Sequence, residues 1–283
     1  MNCCEEALME NKYLGYTKVT YNDIDLARFY EGDEAVIPDL LYNQYLLIYN
    51  EDGEVIDKYY NHKGTLERVK WKPINSRALG QIKPLNTLQE LGFHMLQYAD
   101  STVKMFNSDY GVGKSFLCTN YMMKTLEDGK YDKAVLIRPN IGLEDYPSLG
   151  STPGDFNQKS LPWFGMVGDI VGGMDYVSEM ISNNQLELAP METLRGRSFR
   201  NSIVLVEECG NLTTATCRLI TSRIGEGSLL LMCGDESQTD KKRFREDNGL
   251  KNMSEGLKGN ELFSYLRLEG CVRSKTAQLC ELF

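Results

Sequence analysis

The sequence predicts an α/β fold in three layers, built on a mainly parallel sheet and preceded by a small β-rich unit. Three observations carry that prediction. From about residue 88 onward, strand-like and helix-like patterns alternate. Residues 203–206 (Ile-Val-Leu-Val) and 229–232 (Leu-Leu-Leu-Met) are uninterrupted apolar runs, as expected of strands buried on both faces. A glycine-containing loop, residues 108–115, joins a short strand to a helix.

Taken in order, residues 1–40 are rich in tyrosine and acids and predict no particular element. Residues 45–49 read as a strand, residues 50–53 (Asn-Glu-Asp-Gly) as a turn, and residues 55–60 as the returning strand. Residues 68–72 alternate charged and apolar side chains and predict a third, half-exposed strand. Pro73, Gly80 and Pro84 mark a polar connector. The predicted division is therefore a β-rich region over 1–80 and a core over 81–283. In the core, Leu88, Leu91, Met95 and Tyr98 keep helical spacing. A strand at 103–106, a helix from about 114 to 126 and a strand at 134–137 follow. A long loop then runs to about 163. Between the apolar runs, residues 214–224 predict a helix closed by Gly225.

Composition excludes several classes. Of 283 residues, 42% are hydrophobic and 25% charged, which is a globular balance. No apolar run approaches the roughly 18–20 residues that span a bilayer, and the acidic start is not a secretory signal. Lys and Arg number 31 against 40 Asp and Glu, a net charge of −9, so any contact with a polyanion must come from a local basic patch. Eight cysteines lie mostly in apolar runs at no zinc-like spacing, and read as small hydrophobes in a reducing, cytoplasmic compartment. Cys3-Cys4 alone has the alternative of a metal or redox pair. His62 and His94 read as surface or packing residues.

Three stations bear chemistry. In Ser108-Asp109-Tyr110-Gly111-Val112-Gly113-Lys114-Ser115, the glycines let backbone N–H groups turn toward a phosphate. Lys114 can reach its oxygens, Ser115 offers a hydroxyl to Mg²⁺, and a helix begins beneath. Ser108 stands where that motif usually begins with glycine, and the plain alternative is an ordinary glycine turn. Glu207 and Glu208 follow a buried strand, where nucleotide enzymes hold a metal and orient water; the alternative is a pair of solvated acids. Residues 233–238, ending in Gln238, close the next strand and would alone be a turn. The order of the three makes the case.

That order resembles the PhoH-like ATPases, whose core is similar to the RecA-type first motor domain of superfamily-one helicases. The resemblance is densest at Arg138-Pro139, residues 149–155, residues 159–163, Ala189-Pro190, residues 195–197, residues 207–213, residues 223–225, and Gly234-Asp235 with Gln238. It implies a RecA-like phosphate-loop core that binds and hydrolyses ATP with Mg²⁺. Residues 108–116, Phe116 included, would hold the nucleotide, with Ser115 and Glu207 on the metal and Glu208 as the catalytic carboxylate. Gln238 would sense the γ-phosphate, Gln89 would read adenine, and Arg273 would neutralise transition-state charge. Departures from the family pattern are Ser108 for Gly, Glu207 for Asp and Gly210 for Gln. The nuclease domain some relatives carry is not expected in a chain this short.

For a partner, Lys70, Trp71 and Lys72 sit in a basic stretch with one aromatic, which suits single-stranded nucleic acid, RNA ahead of DNA, or a solvated strand face. Lys241 and Lys242 form a second cluster. Arg195 and Arg197 match a family motif, and could instead bridge subunits. The resemblance implies a homo-oligomer, a hexameric ring among the forms expected, and helicase-like action. The rival readings are a hydrolysis-impaired, nucleotide-gated clamp and a small-molecule kinase.

Overall fold

The chain is described from a computed structural model covering residues 12–77, 79–109, 111–139, 165–237, 239 and 242–270. Its first unit begins within residues 1–40, the stretch whose sequence predicted no element. Strand β1 (Tyr16–Thr20) leads to helix α1 (Asp23–Glu31), where the Asn22 side chain accepts the Asp25 N–H and left-handed Gly32 closes the last turn. Strands β2 (Tyr45–Tyr49), β3 (Val55–His62) and β4 (Thr65–Arg68) complete a four-stranded sheet in the order β1-β2-β3-β4. The strand predicted at 68–72 is thus displaced: β4 ends at Arg68. Lys63 and Gly64, both at positive φ, turn the hairpin earlier than the alternating pattern suggested. Trp71 then packs edge-on against Phe93. The connector predicted at 73–84 contains a small hairpin of β5 (Ile74–Ser76) and β6 (Gly80–Ile82).

The core begins with α2 (Thr87–Tyr98), β7 (Val103–Ser108), α3 (Lys114–Glu127) and β8 (Lys133–Ile137). It continues through α4 (Gly165–Val171), α5 (Met174–Ser182), β9 (Leu186–Leu188) and β10 (Ser202–Val206). Helix α6 (Thr214–Thr221), β11 (Leu229–Gly234), α7 (Lys242–Glu246), α8 (Gly249–Leu257) and β12 (Phe263–Leu268) complete it. The six strands lie in the RecA-like order β12-β7-β11-β10-β8-β9, and every neighbouring pair is parallel. Alternate residues of each strand feed two cores. Phe106, Leu136, Leu205 and Leu231 pack with Leu91, Met95, Leu117 and Met122 on one face. Met105, Val135, Val204 and Met232 pack with Cys217, Ile220 and Leu250 on the other. That is the three-layer arrangement, and it explains why the strands read as continuous apolar runs.

One predicted helix end moves. Helix α6 stops at Thr221 with Ser222 as its cap, and Gly225 is not the closing residue. A Cβ at Gly225 would lie 2.8 Å from the Phe199 carbonyl oxygen, so a close backbone approach accounts for the glycine.

The N-terminal sheet is joined to the core along β12. The Leu14 carbonyl accepts the Arg267 N–H at 2.9 Å, and Tyr13 stacks on Tyr265 at 5.5 Å. A Cβ at Gly15 would sit 1.9 Å from the Tyr265 oxygen. This contact covers the edge of β12, which would otherwise expose unpaired backbone. Asn43, at φ 64, places its amide nitrogen 2.9, 3.1 and 2.9 Å from the carbonyls of Asn260, Glu261 and Phe263.

Lys104 is a charge-bearing residue inside the core. From β7 its ammonium donates to the carbonyls of Met95, Leu96 and Ala99 at 2.5, 3.2 and 2.8 Å, capping the C-terminal turn of α2. Burial pushes its pKa down to about 7, with Lys130 adding to the fall and Asp100 opposing it. Above pH 7 the folded chain therefore gives up a proton that the unfolded chain keeps, so this group adds stability as pH rises. Urea unfolding should show the wild type gaining stability relative to Lys104→Met between pH 7 and 9. A constant difference across that range would contradict the assignment.

Candidate nucleotide-binding site

All three stations meet at the C-terminal ends of the parallel strands. Ser108 is the last residue of β7, in extended conformation, with its hydroxyl donating to the Asp109 carbonyl at 2.8 Å. Glycine's freedom is thus not needed at 108, and the substitution there carries no backbone strain. It is needed at Gly111 and Gly113, at φ 79 and 88. Gly113 caps α3 without a side-chain bond, which leaves the first-turn N–H groups of a 14-residue helix to an anion.

Buried Val112 anchors the loop, and its carbonyl accepts the Gln89 amide at 3.1 Å. The Gln89 oxygen accepts the Leu85 N–H at 2.8 Å, so both ends of this side chain tie the loop to the turn before α2. Leu85 and Phe116 are among the exposed large apolar side chains, at 74% and 42%. The Lys114 ammonium rests 3.3 Å from the carbonyls of Ser108 and Asp109.

The second station lies against the first. The Ser115 hydroxyl donates to Glu207 Oε2 at 2.7 Å. Glu207 is 4% exposed, and its Oε1 is buried without a hydrogen-bond partner. Burial pushes this carboxyl up to about 7; the Ser115 bond opposes the rise and neighbouring Glu208 adds to it. Glu208 is held at φ 56, a left-handed conformation costing about 1 kcal/mol for a residue with a Cβ. That turn leaves one carboxyl buried against α3 and the next half-exposed. Arg138 Nη2 lies 3.3 Å from Glu208 Oε1.

A divalent cation fits here. Glu207 has an unfilled buried oxygen beside a hydroxyl, the hard-oxygen donor pair that Mg²⁺ takes together with substrate phosphates. Among the described residues no cluster of three or more His, Cys, Asp or Glu could hold a metal by itself. The cation would therefore depend on nucleotide oxygens for the rest of its shell.

At the third station Asp235 is buried, and its Oδ1 accepts the Ser237 N–H at 2.8 Å. The Glu236 N–H donates to Asn107 at the end of β7. Tyr110, Gln238, Lys241 and Arg273 lie outside the described residues, as do the motif segments 149–155 and 159–163.

The basic candidates sit elsewhere. Lys70 is exposed with its ammonium 4.8 Å over the Tyr98 ring, Trp71 is half-buried on Phe93, and the backbone of exposed Lys72 donates to and accepts from the Gln97 side-chain amide. Arg195 is exposed. Arg197 is engaged within the chain, 2.5 Å from Glu187 and over the Phe199 ring. Lys242 is exposed and 3.6 Å from Glu246. Two residues given no role from sequence also belong to the site: Arg138, on Glu208, and Arg267, on Asp109. For Arg267 the available signal was a lone charge inside the apolar alternation of residues 263–268.

Among described residues no helix is long and apolar enough to cross a membrane. Comparison with known proteins agrees with the geometry. A family model for PhoH-like proteins matches residues 81–282. Protein PhoH2 of Thermobispora bispora is 25% identical over 280 residues, covering 96% of this chain and 63% of that protein. Protein PhoH2 of Mycolicibacterium smegmatis is 34% identical over 60% of this chain and 39% of its own length. Protein PhoH of Escherichia coli K12 is 28% identical over 69% and 56%. The chain thus spans between 39% and 63% of these relatives. With the family model covering most of the chain, the chain belongs to the PhoH-like protein family.

Proposed function

We propose that this chain binds ATP with Mg²⁺, hydrolyses it, and couples turnover to single-stranded nucleic acid, RNA ahead of DNA. The observation that carries the reading is the Ser115–Glu207 bond, which joins the phosphate loop to an acidic strand end holding one unfilled buried oxygen. In this reading the N–H groups around Gly111 and Gly113 take the β-phosphate, and Lys114 exchanges its two long carbonyl bonds for β/γ oxygens. Ser115 and Glu207 hold the cation, which would neutralise phosphate charge. Half-exposed Glu208 orients the attacking water and accepts its proton, once Arg138 releases it. Phe116 and Leu85 offer apolar surface to the base.

The nucleic-acid part rests on exposed Lys70, Lys72 and Arg195, and on the PhoH-like core. Homo-oligomeric assembly, a ring included, belongs to the same proposal. So does a reducing, cytoplasmic setting, which suits the four buried free thiols at Cys118, Cys209, Cys217 and Cys233. One observation favours the clamp reading: the carboxylate of Glu208 is already engaged by Arg138.

Phosphate release, measured with single-stranded RNA, single-stranded DNA and neither, separates the two. Turnover that rises at least severalfold with RNA supports the motor. ATP-dependent RNA binding without phosphate release supports the clamp. Turnover indifferent to both nucleic acids contradicts the partner assignment.

A further inference from the structure

We propose that Arg267 is a positioning residue of the nucleotide site: it neutralises Asp109 inside the phosphate loop, so that the loop can accept a polyanion. The inference rests on the nucleotide-binding reading above and adds a charge requirement to it. Asp109 follows directly on β7, and its side chain is 57% exposed. Its backbone carbonyl is one of the two on which the Lys114 ammonium rests. An unpaired carboxylate at this position would act twice against ATP. It would repel the triphosphate, and it would compete with phosphate oxygens for Lys114.

Arg267 is placed to prevent both effects. It lies on β12, the strand beside β7, and the register sets it opposite Asn107 with Leu268 opposite Ser108. Its guanidinium thus sits at the strand end from which the loop departs. Nη2 is 3.1 Å from Asp109 Oδ1, and Nη1 is 3.6 Å from Glu236 Oε1. Glu236 in turn pairs with Lys12. The result is a chain of alternating charges, Lys12–Glu236–Arg267–Asp109, which sums to zero beside the loop.

The Arg267 side chain is only 10% exposed, and its Nε and Nη1 have no hydrogen-bond partner. A buried guanidinium with unfilled donors weakens the fold, so its presence needs a local reason. The exposed acid at the root of the loop supplies that reason.

The test is equilibrium binding of a fluorescent N-methylanthraniloyl ATP, with Mg²⁺, to the full chain and to Arg267→Gln, Asp109→Asn and the double variant. Arg267→Gln should raise the Kd about tenfold, the scale of one partly screened charge. Asp109→Asn removes the repelling carboxylate and leaves the Arg267 charge uncancelled, so it should lower the Kd. The double variant should return to within about threefold of wild type, because the repelling carboxylate is gone. A merely structural role for Arg267 predicts a double variant as weak as Arg267→Gln, and that result would overturn the proposal. So would wild-type affinity in Arg267→Gln. Should circular dichroism show Arg267→Gln unfolded, Asp109→Asn decides: a lower Kd supports the proposal and an unchanged or higher one overturns it. A folded wild type that binds no ATP overturns the nucleotide reading itself, whereas wild-type binding with an indifferent Arg267→Gln overturns only this inference.

Discussion

Glu208→Gln is expected to lower kcat for ATP by about a thousandfold while leaving the Kd for ATP within about threefold of wild type. The two carboxyls after β10 have different surroundings, and the proposed function gives them different duties. Glu207 is buried and bonded to Ser115, whereas Glu208 is half-exposed and paired with Arg138. The amide of Gln keeps the size of Glu208 and its left-handed backbone but cannot accept a proton. Single-turnover phosphate release, read beside equilibrium binding, checks the split. Loss of binding together with turnover would give Glu208 a ground-state role. Wild-type turnover would remove it from the chemistry.

Lys114→Ala is expected to weaken ATP binding by on the order of a hundredfold and to bring phosphate release to background. Its ammonium is the cation of the loop itself. It is held 3.3 Å from two carbonyls, a distance long enough for phosphate oxygens to displace them at little cost. Gly113 and the open first turn of α3 would remain in the variant, so residual binding measures what backbone N–H groups supply alone. A calorimetric titration of wild type and variant reads both. Equal affinity would mean that the nucleotide, if bound, lies away from this loop.

Much of the core was legible because burial on two faces writes a plain signal. The runs at 203–206 and 229–232 announced β10 and β11, and the glycine loop announced the β7–α3 junction. The N-terminal unit was harder to read. Its strand β1 reads Tyr-Thr-Lys-Val-Thr, half-exposed with one fully buried side chain, and its place depends on contacts with β2 and β12 far along the chain. The third strand, expected at 68–72, comes earlier at Thr65–Arg68 because the chain turns at Lys63-Gly64, both at positive φ, a turn that the alternation of 68–72 masked.

In the site, residue types and order pointed to Lys114, Ser115, Glu207 and Glu208. Sequence alone could not show that Ser108 needs no glycine, because that depends on where β7 ends. Nor could it show Arg267 on Asp109, a pairing made across adjacent parallel strands by residues 158 positions apart. Arg197 illustrates the converse: a basic residue read as a nucleic-acid candidate has its charge engaged by Glu187.

A calorimetric titration of the purified chain with ATP, once with Mg²⁺ and once with EDTA, tests whether Ser115 and Glu207 join the phosphate loop to a cation site. One nucleotide per chain should bind, at least tenfold more tightly with Mg²⁺, and that difference should be lost in Glu207→Gln. Affinity independent of Mg²⁺, or a cation effect that persists in Glu207→Gln, would contradict it.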